Sequence, residues 1–164
     1  MRKSPDYSRV KAEVKRVLDQ YGVQQPPVDP VTIARHEGVE VVFVKFTGEY
    51  DKVSGFYEPD ENRIYVNKDE FPLRQTFTVA HELAHALLHR HWAASDEYRV
   101  LLRDPNASSD EPHEKEANAF AAHLLVPRKM LDTVYSDLSN AELSKLFAVS
   151  VPTIKYRKEF EYGI

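Results

Sequence analysis

Apolar residues along the chain follow two rhythms, and the switch between them predicts the elements. Over residues 4–21, Tyr7, Val10, Val14, Val17, Leu18 and Tyr21 recur at the spacing of one helix face, with Ser4-Pro5 as cap and first turn and Gly22 as stop. A stiff Gln- and Pro-rich connector leads to a short helix over residues 31–37, ended by Gly38. Residues 39–46 are rich in β-branched side chains and predict a strand. Two more strands, 53–57 and 62–66, flank Glu58-Pro59-Asp60-Glu61 as a hairpin turn, giving a small antiparallel sheet. The helical rhythm then returns at residues 74–90, entered through Pro72, and again at 112–126, ended by Pro127. Between them residues 92–111 mix Asp, Ser, Pro and Asn around an apolar patch at 100–102. Loops of that length are often functional, so a substrate-covering loop is expected. A further helical turn at 129–134 precedes two short helices over 140–160, joined near Val149-Ser150.

The stretch 74–90 also carries chemistry. Within it His81-Glu82-Leu83-Ala84-His85 is an HExxH motif. A helix advances about 100° per residue, so the two histidines stand roughly 40° apart, one turn from each other, and can grip one metal ion. Glu82, about 100° round from His81, is poorly placed as a third ligand but well placed to reach a water held by the metal, the position of a general base. HExxH also arises by chance. Here it lies in an unbroken helix, beside an apolar stripe of Ala80, Leu83, Ala84 and Leu87, and an acidic helix follows.

Composition narrows the chemistry. The 164 residues suit one domain with a core; 42% hydrophobic and 29% charged residues are ordinary for a soluble globular protein. With no Cys, any metal must be held by His and carboxylates. A net charge of -4 offers nucleic acid no general attraction. No apolar run approaches the roughly 18 residues of a membrane span, and the amphipathic N-terminus is unlike a signal peptide, so a cytoplasmic protein is expected.

A catalytic zinc takes three protein ligands and keeps one position open. Glu114 shares a helix face with Ala117, Asn118, Ala121 and Leu125 and is the expected third ligand; Glu116, about 160° away, is expected to be a solvated charge. His91 is the competing ligand, ten residues after His81 as in HExxHxxGxxH enzymes, but Leu88 stands where those need Gly. His89 and His91 are therefore expected at the surface.

The pair FTVAHELAHALLH and EKEANAFAAHLLVP resembles the ImmA/IrrE family of bacterial and phage metallopeptidases, and PPVDPVTIARHEGVEV and NRIYVN are similar to that family's N-terminal helix and strands. The resemblance covers roughly residues 28–127. Related zincins carry an E-x-x-A-[DN] motif whose first Glu is a ligand, and Glu114 to Asn118 matches it. The resemblance implies a gluzincin-like peptidase cleaving a helix-turn-helix repressor, in stress response, mobile-element regulation or toxin–antitoxin-like pairs. It also implies that 164 residues leave little room for the C-terminal sensory domain of some relatives.

The expected fold is α+β: a zincin-like metallopeptidase domain over 1–136 and a helix-turn-helix-like segment over 137–164 packed on it. The expected chemistry is zinc-dependent peptide hydrolysis with His81, His85 and Glu114 as ligands, Glu82 as base and Asn118 orienting a ligand. Tyr65, His123 and Arg128 are unranked candidates for the oxyanion partner. Two rival readings are a zinc-containing module that binds its partner stoichiometrically, and a DNA-binding regulator using Lys155, Arg157 and Lys158; docking is preferred to DNA reading for 140–160.

Overall fold

The structure, a computed structural model, describes residues 4–103 and 110–164. Helix α1 (Tyr7–Gln20) buries Val10, Val14 and Val17. It begins later than Ser4 because the Asp6 carboxylate, accepting from Arg9 N at 3.0 Å, supplies the cap. Asp29 caps α2 (Pro30–His36) in the same way, with Pro30 in the first turn. The next strand, β1 (Glu40–Val44), is shorter than expected at its start because Val39 N donates to Ala34 O and belongs to the helix exit.

Strands β2 (Gly55–Glu58) and β3 (Arg63–Asn67) form the expected antiparallel hairpin, turning through Asn62 in a left-handed conformation (φ 51°) that Asn tolerates. The sheet as a whole is mixed rather than antiparallel. Its order is β1-β3-β2, and β1 runs parallel to β3, Glu40 opposite Arg63 through Val44 opposite Asn67. The strand with the most completely buried side chains, Ile64 and Val66 at 0% exposure, takes the centre. Gly55 is required where β2 meets the next helix: a Cβ there would lie 2.6 Å from both Thr78 Cγ2 and Tyr65 O.

That helix, α3 (Pro72–Leu88), packs on the sheet, on α2 and most extensively on α6 (Pro112–Leu125). Ala80 and Ala84 on α3 and Ala117 and Ala121 on α6 are fully buried, and side chains this small let two axes approach closely. Between these helices the expected loop contains α4 (Arg90–Ala93) and α5 (Asp96–Arg103); the remainder of that excursion, 104–109, lies outside the described residues. Then come α7 (Arg128–Asp132), α8 (Asn140–Phe147) and α9 (Val151–Tyr162). A capping box of Ser139 and Glu142 starts α8, and Ser150 caps α9. Among the described residues no helix is long and apolar enough to cross a membrane.

Candidate metal centre

Helices α3 and α6 bring His81, His85 and Glu114 together, with one donor atom from each lying within 4.8 Å of the others. His81 Nε2 is 2.8 Å from Glu114 Oε2, and His85 Nε2 is 3.4 Å from Glu114 Oε1. Both rings use Nδ1 in the opposite direction: His81 Nδ1 lies 2.8 Å from Asn118 Oδ1, and His85 Nδ1 lies 3.0 Å from His89 Nδ1. His85 is fully buried, yet its Nε2 has no hydrogen-bond partner. Tetrahedral zinc with ligands at about 2.1 Å needs donor atoms about 3.4 Å apart, so the group suits such an ion. Burial opposes charge on His81, but the neighbouring Glu114 carboxylate outweighs it and raises the ring to about 9. Burial likewise opposes ionisation of Glu114, and the two rings overcome it, holding that carboxyl well below its usual range.

Glu111 caps the start of α6: its Oε2 accepts from Glu114 N at 3.0 Å. Glu82 is buried, with Oε2 3.8 Å from His81 Nε2. Desolvation pushes its pKa up, against the pull of His81 and His85. Its Oε1 accepts from the Tyr98 hydroxyl at 2.8 Å, and that oxygen in turn accepts from Tyr57 N at 2.7 Å. Burial and the Glu82 carboxylate hold the Tyr98 phenol well above its usual pKa, so it stays a donor.

Tyr98 was not among the expected site residues. It stands on α5, inside the stretch read as a covering loop, and folds beneath the site. The signal was present: Tyr98, Leu101 and Leu102 fall at helical spacing behind Asp96-Glu97, an acidic first turn.

His89 and Glu116 also depart from expectation. Neither is at the surface: His89 is 3% and Glu116 1% exposed, and His89 Nε2 lies 2.6 Å from Glu116 Oε1. A single buried face on α6 would leave Glu116 in solvent. That helix instead runs through the interior, with Ala119, Phe120, Ala122, Leu124 and Leu125 buried as well as Ala117 and Ala121, so Glu116 faces protein on the side away from Glu114. His91, on α4, is exposed and outside the His81–His85–Glu114 group.

None of the three oxyanion candidates is placed at this centre. Tyr65 stacks on Phe56, and its hydroxyl donates to Glu61. His123 sits at the far end of α6, with Nε2 3.3 Å from Arg157 Nη1 and its ring edge-on to Phe160. Arg128 is exposed and pairs with Glu161 and Asp132. Each offers a suitable functional group, but packing uses each elsewhere.

A peptidase family model described as the IrrE N-terminal-like domain matches residues 34–159. The chain is 29% identical over 140 residues to an uncharacterized immunity region protein of Bacillus phage phi105, covering 84% of this chain and 78% of that one. It is 29% identical over 154 residues to the radiation response metalloprotease IrrE of Deinococcus deserti, covering 89% of this chain and 52% of the relative, so it spans about half of that protein. In fold it is similar to a Mycobacterium tuberculosis transcriptional regulator, with a TM-score of 0.69 at 20% identity over 93% of this chain and 46% of the other. The chain belongs to the IrrE N-terminal-like, or ImmA/IrrE, metallopeptidase family.

Proposed function

We propose that the chain is a zinc-dependent endopeptidase that cleaves a specific protein partner in the cytoplasm. The partner class that the family suggests is a helix-turn-helix repressor, whose loss would relieve repression in stress response, phage immunity or a toxin–antitoxin-like pair. The observation that carries the reading is a buried Glu82 beside a group of two imidazole Nε2 atoms and the Glu114 carboxylate, with one of those nitrogens unpartnered. His81, His85 and Glu114 would hold the ion. Bound zinc supplies Lewis acidity, lowering the pKa of a water toward about 7 and polarising a carbonyl.

The protein's own part is orientation and proton movement. Asn118 takes the His81 Nδ1 proton in a hydrogen bond, leaving Nε2 as a lone-pair donor. Glu82, raised by burial and steadied by Tyr98, accepts a proton from the attacking water at a carboxylate oxygen and returns it to the leaving amine.

The C-terminal helices support docking over DNA reading. Of the three bases proposed as a reading face, Arg157 is fully buried, donating to Val126 O at 2.9 Å and pairing with Glu161 at 3.0 Å. Lys158 donates to Asn140 on α8, and only Lys155 of the three is exposed. Incubating wild type and Glu82→Gln with a repressor encoded beside the gene, and reading intact mass, tests the proposal. Cleavage by wild type and a loss of about 10² to 10⁴ in the variant are expected. Equal relief of repression by both, with no fragment, would establish stoichiometric binding instead.

A further inference from the structure

Behind the candidate ligand His85 lies a buried polar chain that the proposed reaction does not itself use. His85 Nδ1 is 3.0 Å from His89 Nδ1; His89 Nε2 is 2.6 Å from Glu116 Oε1; and Asp6 N donates to Glu116 Oε2 at 2.6 Å. It runs from α3 through α6 to the cap of α1. The same turn of α1 is tied to the end of α3 by Arg9 Nη2, which donates to Leu88 O at 2.9 Å. His85, His89 and Glu116 are all at most 3% exposed, so bulk water does not substitute for any of them.

One polarity of this chain prepares His85 for a metal. A backbone N–H can only donate, so Glu116 Oε2 accepts from Asp6 N, and when Oε1 also accepts, its donor is His89 Nε2. With its proton on Nε2, His89 presents the Nδ1 lone pair to His85. The His85 ring then carries its proton on Nδ1, which leaves Nε2, the orphaned atom facing Glu114, as a lone pair. We propose that His89 and Glu116 are positioning residues that lock His85 in the Nδ1–H tautomer for metal binding and fasten the metal centre to the start of α1. The proposal rests on the zinc reading above.

Glu116→Gln tests this with little change of shape. The amide has one oxygen where two N–H groups, from Asp6 and His89, each need an acceptor, so one bond is lost whichever way it turns. His89→Leu removes both bonds, whereas His89→Gln keeps one donor and one acceptor. Zinc affinity of the full chain, measured by competition with a chromophoric chelator, should fall 10- to 100-fold in Glu116→Gln and His89→Leu, the range seen when such outer partners are lost. His89→Gln should recover part of the loss. In zinc-free wild type, proton–nitrogen NMR should show a hydrogen-bonded proton on His85 Nδ1 that shifts or disappears in Glu116→Gln. Circular dichroism separates misfolding from weakened affinity, and the His85 proton in wild type decides the tautomer even if a variant fails to fold. Equal affinity in all folded variants, or a proton on Nε2, overturns the proposal while leaving the peptidase reading intact. A wild type that takes no zinc overturns both.

Discussion

Replacing Tyr98 with Phe isolates the support of the candidate base. The ring is retained, so its edge contact with His85 at 5.4 Å and the surrounding packing survive, and no cavity beyond one oxygen is created. Two buried hydrogen bonds go: the 2.8 Å bond to Glu82 Oε1 and the 2.7 Å bond from Tyr57 N. A bond to a charged group contributes about 1.5–3 kcal/mol, and a buried N–H left without an acceptor costs about 1–3 kcal/mol. Glu82 can recover part of this by taking up a proton, which its burial already favours. The expected net loss is about 3 kcal/mol, a large share of a stability of about 5–15 kcal/mol. Urea denaturation of both forms at one pH should show the midpoint falling with an unchanged slope. Hydrogen exchange should show the Tyr57 amide losing protection beyond the global change. Zinc content should hold, since the hydroxyl bonds to Glu82 and Tyr57 N and the ring contact with His85 is kept. A stability loss below about 0.5 kcal/mol with an unaltered Tyr57 amide would show that the hydroxyl does not hold these groups.

The ligand assignment is checked by metal analysis: Glu114→Ala should lose stoichiometric zinc and His91→Ala should retain it, and the opposite pattern would move the third ligand to α4. His123 gives a pH prediction. Burial, then Arg157 and Lys11, lower it from an ordinary 6.5 to about 3, so the folded state keeps it neutral. The stability this provides is present above pH 6.5 and is lost as pH falls from 6.5 toward 3, about 2 kcal/mol by pH 5. Between pH 7.5 and 5, His123→Gln should lose about that much less than wild type in paired denaturation curves; parallel losses would refute the assignment.

The sequence was most informative where local period and function coincide. An unbroken apolar stripe identified α3, and the HExxH spacing on it placed His81 and His85 on one face with Glu82 turned aside. The face containing Ala117 and Ala121 also selected Glu114, because the packing of α6 on α3 is written in small residues. Pairing of β1 with β3 was not legible, since the order of strands depends on where the chain crosses between residues 44 and 55, and not on the alternation within any strand. Tyr98 and Glu116 escaped for a related reason. Each acts through partners distant in sequence, and a polar residue buried by tertiary contacts looks, in one dimension, like a surface charge.

Helix α6 explains why the two ends of the chain belong to one structure. Buried nearly all round, it presents Glu114 to α3, Glu116 to His89 and Asp6, and His123 to Arg157 of α9. Arg157 cannot leave this arrangement cheaply: it is fully buried, its Nε donates to Val126 O, and its loss would leave Glu161, whose side chain is 7% exposed, to the exposed Arg128. Breaking a buried pair from one side costs about 3–5 kcal/mol, more than one exposed cation gains from a phosphate. A helix held by that contact cannot turn Arg157 outward without first unfolding its own seat. The α8–α9 pair therefore stands fixed beside α6, and a partner docking there would meet a surface whose position is tied, through one helix, to the candidate metal ligand Glu114.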